Sequence, residues 1–588
     1  MFLRKRALER IAKEKILYER RQGGDIAVCV VYPNIYRLGM ANLGYQAIFQ
    51  IFDSDRLVSA DRAFLPDPDE RAVLKARGQM PLSLEQGRPL SDFDILALSI
   101  SFETDYLNVV SMLRMAGIPL DRSERAGRGF PLIVAGGSAV FLNPEPIADF
   151  IDLFLIGEGE EMVPEFLARY HEVRTLDEER RLTELAKVEG AYRPGYFMPV
   201  YDETGRIEKV EYSGPGKPIV NRRMIRDLDS FNTASLILSE ESVFGDMFLV
   251  EASRGCQWGC RFCAAGFMYR PIRYRSPERL TAEADRGLAH RKVIGLVGAE
   301  MASVPGVAGI ADHVARKGGR LSPSSLKADC ISPALAAALS RNGNHSVTIA
   351  PEAGSERMRK VINKNLTEAD ILRAADLMVG EGVEQLKCYF MIGLPEERDE
   401  DVLEIARLTG RILEHARSGR RRVGHVTVSL NPFVPKPWTP FQWDPMESAP
   451  ALKHKVALLR SEFARAGGGI ELDAESPREA YFQALVSRGD RRVGSILRHL
   501  DQGGCDSAGA IWHELRTIHR EAQAGKEGGL PDPDFFAARR FGNDEILPWD
   551  FIDHRIHKWF LLSERKKAHY EHQSKPCDVT RCTVCGAC

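Results

Sequence analysis

The chain reads as α/β throughout: an open, doubly wound N-terminal domain, a central six-unit partial (β/α) barrel, and a mainly helical C-terminal extension with a Cys-rich tail. Three observations predict this. Short apolar, β-branched runs such as "DIAVCVVYPN" alternate with amphipathic helical spans, the pattern of parallel strands covered by helices on both faces. The alternation occurs twice, and a chain of 588 residues has room for more than one core. Of the eleven cysteines, seven fall into two tight groups, one in each of the last two regions.

Residues 1–22 form a basic helical lead, "RKRALERIAKEKILYERR", read as a solvated helix face. Residues 23–170 are Rossmann-like, with strands in "DIAVCVVYPN", "DFDILALSIS", "PLIVAGGSAV" and "DFIDLFLIGEGEE". Ser99 and Ser101 close the second of these runs and Gly136 and Gly137 the third, at the carboxyl edge where such sheets bind ligands. Residues 171–245 read as a β-ribbon and linker. Residues 246–445 carry strand candidates "MFLVEAS", "VIGLVGAE", "SSLKADCIS", "HSVTIAPEAG", "VEQLKCYFMIGLP" and "GHVTVSLNPFVP". Six β/α units over about 200 residues are too few for an eight-stranded barrel and fit a partial one. Residues 446–588 read as helical up to the second cysteine group.

Lysine plus arginine (80) nearly balance aspartate plus glutamate (82), so whole-chain charge points to neither nucleic acid nor an anionic membrane. Local basic stretches, "RSGRRRVG" and "RGDRR", with Trp549 and Trp559, keep a non-catalytic RNA- or ribosome-associated iron-sulfur factor as an alternative. No apolar run reaches the roughly 18–20 residues of a membrane span, and the charged start lacks the apolar core of a signal peptide. A cytoplasmic protein is expected. In that reducing compartment, clustered cysteines are metal ligands or catalytic groups before they are disulfides.

Cys256, Cys260 and Cys263 have the spacing C-x3-C-x2-C in "SRGCQWGCRFCAAG", directly after the first barrel strand. Structural zinc prefers four ligands, so a zinc reading needs a distant fourth residue. An iron-sulfur cubane normally takes four thiolates, and three leave one iron open. The motif, its place after the first strand and Phe262 between the last two cysteines resemble the radical S-adenosylmethionine (SAM) enzymes. The resemblance implies a [4Fe-4S] cluster whose open iron binds SAM and whose electron cleaves it to methionine and a 5′-deoxyadenosyl radical. Further segments resemble that family's SAM contacts. Gly298, Ala299 and Glu300 in "GLVGAEM" stand where the family holds the SAM amine, although the middle residue departs from glycine. Lys327 is placed toward the SAM carboxylate, Glu352 and Ser355 toward the ribose, and Gly393 and Glu396 of "YFMIGLPEE" toward the adenine.

The N-terminal domain resembles the cobalamin-binding domains of class B radical SAM enzymes, on "VAGGSAVFLNPEPIADFIDLFLIGEGEE". The Asp-x-His-x-x-Gly signature of methylcobalamin domains is missing, so cobalamin would bind without a histidine ligand. A Rossmann-like domain with no cofactor is the alternative. Cys577, Cys582, Cys585 and Cys588 close the sequence with C-x4-C-x2-C-x2-C spacing, which reads as a second iron-sulfur cluster or a zinc site. Such a tail is expected to fold back onto the protein. With "YPNIYRLGMANLG", "PFVPKPWTPFQW", "VSRGDRRVG" and "LPWDFIDHRIHKWFLLSERKKA", the chain resembles an uncharacterised family of fused cobalamin-type/radical SAM proteins.

The resemblance implies a radical SAM enzyme that modifies an unactivated C–H position. Cobalamin-dependent methyl transfer is the leading reaction, and methylthiotransferase-like sulfur insertion using the tail cluster is the alternative. It implies an external flavodoxin- or ferredoxin-like electron donor. The substrate, a small molecule, RNA or protein, is not specified, and no residue is assigned as catalytic. Cys29, Cys330, Cys388 and Cys505 are read as core or incidental.

Overall fold

The computed structural model describes all residues except 1, 22, 342–345, 419–423, 526–528, 580 and 588. Its N-terminal sheet runs, in spatial order, Val58–Phe64, Ile26–Tyr32, Ile95–Ser99, Leu132–Gly136, Leu153–Leu155 and Ala191–Tyr192. Neighbours are parallel except the last pair, which is antiparallel. Strand order therefore reverses between Ile26–Tyr32 and Ile95–Ser99. Their carboxyl ends flank the switch-point crevice in which doubly wound sheets bind ligands. The edge strand Ala191–Tyr192 lies in the stretch read as linker; two residues carry no periodicity by which to see it. Gly137 has φ +107°, and a Cβ there would lie 2.3 Å from the Ile100 carbonyl oxygen. Close backbone packing at the crevice thus demands the glycine. Gly137→Val is expected to cost more than about 1 kcal/mol, read as a lower urea midpoint.

The barrel is two parallel sheets. Met247–Glu251, Val293–Val297 and Arg320–Pro323 form the first, and Ser346–Glu352, Gln385–Ile392, Val426–Pro432 and Ile470–Ala474 the second. A parallel bridge between Leu326 and Ile349 joins them. The strand Ile470–Ala474 follows the six expected and carries the barrel past residue 445; two acidic residues in "IELDA" hide it from an apolar-run reading. The third strand ends at Pro323, before the expected "SSLKADCIS", whose Ala328–Cys330 is a 3-10 turn. Glu300 accepts the Lys327 amide (3.3 Å) and the Lys327 ammonium reaches Asp329 (2.5 Å), so this stretch curls over the barrel mouth instead of extending.

The basic lead is docked, not solvated. In the helix Phe2–Lys13, Arg6 and Arg10 pair with Asp67, Asp69 and Glu70, and just beyond it Glu14 meets the buried Arg62 at 2.6 Å. The acidic start of the helix Pro68–Arg77 supplies the counter-charge. In "RGDRR", Arg488 donates to the carbonyls of Phe536, Ala537 and Arg539, Arg491 pairs with Glu145, and Arg492 with Asp490. Trp549 is buried with its indole N–H on Gln442. These groups have internal partners, whereas Trp559 is exposed, and Arg420, Arg421 and Arg422 lie outside the described residues. The aromatic segment after the sixth strand is packed, with Trp438, Phe441 and Trp443 buried. No helix among the described residues is long and apolar enough to cross a membrane.

The two α/β domains meet edge to edge. Loops after the N-terminal strands touch loops after the barrel strands: Glu103 binds Lys436 (2.7 Å), and Glu158 binds Arg273 (2.6 Å). The His554 Nε2 atom, on the C-terminal region, lies 2.8 Å from the Phe141 carbonyl oxygen. The switch-point edge and the barrel mouth therefore face one another.

Candidate metal and cofactor site

The cysteine loop leaves the first barrel strand at Gly255, whose φ of +87° and would-be Cβ, 2.5 Å from the Tyr269 carbonyl oxygen, exclude other residues. Cys260 is buried, and Cys256 and Cys263 are half-buried. Among the described residues, the one trio of metal-ligating groups with donor atoms mutually within 4.8 Å is His519, Asp532 and Asp534. The donor set is three thiolates on one loop: structural zinc takes four ligands, whereas a cubane on three thiolates leaves one iron open, so the chemistry of these residues fits an iron-sulfur cluster.

Burial pushes the Cys256 thiol up to about 12 and Cys260 up to about 11, with Cys263 also raised. Two buried ammonium groups oppose this at Cys260: Lys364, the stronger, and Lys327. Lys364 stands between Asn363 and Asn365, whose φ values of 54° and 50° are left-handed, a conformation asparagine tolerates. Its Nζ is 3.1 Å from Glu352. The pocket thus presents two cations and two carboxylates, Glu352 and Glu300, around three thiols.

The SAM-like segments gather at this mouth, with their side chains already engaged. Gly298 has no room for a side chain, since a Cβ would lie 2.6 Å from Ser253 Oγ, and the Ala299 carbonyl accepts from Ser325. Glu300 is buried and accepts the amides of Ala302 (2.7 Å), Ser303 (3.0 Å) and Lys327, which shapes the loop. Lys327 is buried, not on the surface; it donates to Asp329 and the Asn365 carbonyl and lies 3.9 Å from the Trp258 ring centre. Glu352 has φ +67° at its strand end. Ser355 caps the helix Glu356–Val361 through the Met358 amide (3.0 Å) and donates to Asp401 (2.5 Å). Phe262 packs among Ala353, Met358 and Leu394. Gly393 has φ +80° and donates its amide to Glu397 (2.7 Å), while Glu396 turns outward to His569 (2.8 Å). Glu397 is the residue that organises this turn; burial pushes its carboxyl up to about 7, held down only in part by Lys455 at 2.7 Å.

On the facing edge, Ser101 accepts from Asn42 (2.9 Å), its carbonyl accepts from Ser138 (2.9 Å), and Ser99 and Gly136 pair across the strand ends. Asp105 is buried against Asn34 (2.7 Å) and Asn108 (3.1 Å), and its Oδ2 has no hydrogen-bond partner. Burial pushes this carboxyl up to about 7. Leu38 and Phe102, after the two strands that flank the crevice, expose apolar surface.

Glu158, in "GEGEE", is the hub between domains. It accepts two hydrogen bonds from Arg273 (2.7 and 2.6 Å), one from the Ile225 amide (2.9 Å), and lies 3.2 Å from Arg254, two residues before Cys256. Arg254 also binds Glu160 (2.7 Å) and Glu251 (2.9 Å). Burial pushes Glu158 up, but Arg273 and Arg254 outweigh it and hold the carboxyl below its usual range.

The C-terminal tail lies across the cysteine loop. The Cys577 amide donates to the Gln257 carbonyl (2.8 Å), next to Cys256. Cys585 is buried and its carbonyl accepts from His557 (2.9 Å); Cys582 is half-buried, and Cys588 lies outside the described residues. Sequence reading missed Glu158, Asn363, Lys364, Arg261 and Glu397. Each lies inside or at the end of a segment that resembles the family (Arg261 in the cysteine motif, Glu158 in "GEGEE", Glu397 in "YFMIGLPEE", Asn363 and Lys364 in "APEAGSERMRKVINK"), but the resemblance singled out other positions in those segments.

An uncharacterized protein of Methanocaldococcus jannaschii is 28% identical over 474 residues, covering 80% of this chain and 90% of that protein. Among solved structures, the radical S-adenosylmethionine methyltransferase TsrM from Kitasatospora setae, with tryptophan substrate and a SAM analogue bound, aligns with TM-score 0.48 and 12% identity, over 82% of this chain and 99% of that one. The cobalamin-dependent S-adenosylmethionine radical enzyme OxsB, with aqua-cobalamin and S-adenosylmethionine bound, aligns with TM-score 0.47 and 14% identity, over 92% of this chain and 79% of that one. A structure of OxsB with aqua-cobalamin alone aligns with TM-score 0.46 and 16% identity, over 68% of this chain, which spans about half (53%) of that one. Residues 44–194 match the family described as radical SAM proteins, N-terminal, and residues 250–409 match the radical SAM superfamily. With those two regions spanning just over half of its length and the three-cysteine loop at the mouth of its barrel, the chain belongs to the radical SAM superfamily.

Proposed function

We propose that this radical SAM enzyme reductively cleaves S-adenosylmethionine at a [4Fe-4S] cluster held by Cys256, Cys260 and Cys263, and transfers a methyl group to an unactivated C–H position with cobalamin in the N-terminal crevice. The observation that carries the reading is the meeting of two carboxyl edges, the barrel mouth with its three thiols and the switch-point edge, joined by the Glu158–Arg273 and Glu103–Lys436 pairs. Bound there, the cluster and SAM supply the 5′-deoxyadenosyl radical and cobalamin the methyl group.

The protein's part is positioning. Glu300 holds the loop that lines the SAM pocket, Lys327 and Lys364 supply positive charge beside the thiols, and the left-handed turns at Glu352 and Gly393 bring backbone to the pocket rim. For cobalamin, the exposed Leu38 and Phe102 offer apolar contact. The sequence has no histidine before His171, so the strand ends of the N-terminal sheet supply no imidazole ligand. An external flavodoxin- or ferredoxin-like donor provides the electron.

The tail cysteines are read as a second metal centre, iron-sulfur or zinc. Its docking beside Cys256 is the observation that favours sulfur insertion as a second reading, with the tail cluster as sulfur source. Cobalamin uptake separates the two. After anaerobic incubation with hydroxocobalamin and gel filtration, methyl transfer predicts a corrinoid absorption band that comigrates with the protein at about one equivalent. A protein that emerges colourless in that region leaves the sulfur-insertion reading standing and removes the cobalamin one.

A further inference from the structure

The tail does more than end near the cysteine loop; it is sewn to it. Asn363, almost fully buried, donates Nδ2 to the Gly259 carbonyl (3.0 Å), between Cys256 and Cys260, and accepts the Ser574 amide on Oδ1 (2.7 Å). Asn365 donates to the Ser574 carbonyl (3.1 Å). Arg261, fully buried between Cys260 and Phe262, donates to the carbonyls of Lys360 (3.0 Å), Val361 (2.8 Å) and His572 (2.7 Å), and pairs with Glu564 of the terminal helix at 3.1 Å. With the bond from the Cys577 amide to the Gln257 carbonyl, the loop residues Gln257, Gly259 and Arg261 are all tied to the tail, directly or through Asn363. Backbone dimensions then put the Cα atoms of Cys577 and Cys256 no more than about 11 Å apart.

These bonds fix the backbone that aims the three sulfurs. One end of the same strap is Cys577, the first ligand of the tail set. Metal binding to a short cysteine segment orders it, and the ordering free energy is part of the binding free energy. Whatever holds Cys577 therefore also holds Gln257, and coupling between two binding equilibria is reciprocal.

We propose that the tail is a metal-loaded clamp: occupancy of the C-terminal cysteine set stabilises the cluster at Cys256, Cys260 and Cys263, and the two centres assemble cooperatively through Asn363 and Arg261. This rests on the reading that the tail cysteines hold a metal.

The test uses full-length, anaerobically reconstituted protein. The reduced-state electron paramagnetic resonance signal that shifts on adding SAM marks the loop cluster, and its decay under an iron chelator measures retention. Two variants loosen the clamp from opposite ends. Asn363→Gly keeps the left-handed backbone while removing both side-chain bonds, and the double change Cys582→Ser, Cys585→Ser disarms the tail without touching the loop. Each is expected to speed the decay roughly tenfold, the usual scale for losing outer partners of metal ligands. Because the double variant lies in the tail, it remains informative if Asn363→Gly fails to fold. Decay at the wild-type rate in a double variant shown to lack tail metal overturns the clamp. The triple variant Cys256→Ala, Cys260→Ala, Cys263→Ala separates the underlying reading. Metal retained on its tail, with lower affinity than in wild type, is expected; a tail that binds neither iron nor zinc defeats the tail-metal reading and the clamp with it.

Discussion

Replacing Cys256, Cys260 and Cys263 together by alanine is expected to remove the SAM-responsive cluster and reduce 5′-deoxyadenosine formation to background. The three thiols share one loop, Cys260 is buried, and Cys263 feels the charges of Glu352 and Lys364. Cys330, the thiol that follows the third strand, is turned toward Ser303 (3.6 Å) and Asp329 (3.6 Å) and away from a replacing role. Single alanine variants leave two thiolates, too few to hold a cubane with an open iron, and are expected to fall as far as the triple change. The measurements are iron per chain, the visible absorption of the cluster and chromatographic detection of 5′-deoxyadenosine. Metal bound by the tail, iron or zinc, should survive the triple change. A triple variant whose tail holds neither metal would defeat the reading of the tail as a second centre.

The largest effect on stability is expected at Glu158. Glu158→Ala leaves the buried Arg273 without its carboxylate and removes one of three partners from the half-buried Arg254, and the nearby fully buried Arg222, 3.9 Å from Glu158, loses its counter-charge as well. Breaking one side of a buried ion pair costs about 3–5 kcal/mol, read as a lower unfolding midpoint in urea or on heating. The pH dependence follows from the same carboxylate. Its pKa in the folded protein is held below the unfolded value of about 4.3, so its stabilisation is complete above that value. It is lost as pH falls through the lower folded pKa. Wild-type protein should therefore lose stability more steeply below about pH 4 than Glu158→Gln, which carries no titrating group at this position. Because Arg254 lies two residues from Cys256, the same variant should also weaken cluster retention, which a purely peripheral ion pair would leave unchanged.

Much of this organisation is legible in the residues. The alternating apolar runs declare both parallel sheets, because buried parallel strands need side chains that are apolar on both faces. The cysteine spacing declares the metal loop, since three thiols in eight residues after a barrel strand match the ligand spacing of a cluster site. What stays hidden is long-range. Glu158 reads as part of a glycine-rich loop, and only the fold brings it against Arg273, more than a hundred residues away. Asn363 and Lys364 close the ribose-like segment "APEAGSERMRKVINK" without being singled out by it, because their role depends on left-handed turns set by packing. The strand Ile470–Ala474 escapes because charge interrupts its apolar pattern at a half-exposed barrel edge. The basic stretches mislead for the converse reason: Arg6, Arg10, Arg488 and Arg491 find partners distant in sequence, which composition cannot register.

The measurement that bears most directly on the central claim is SAM turnover by the wild-type protein. Reconstituted anaerobically, given SAM and a low-potential reductant, it should produce 5′-deoxyadenosine and consume SAM in step, with no product when either cluster or reductant is withheld. A protein that carries an intact, reducible cluster on Cys256, Cys260 and Cys263 yet leaves SAM uncleaved, with or without cobalamin, would contradict the account.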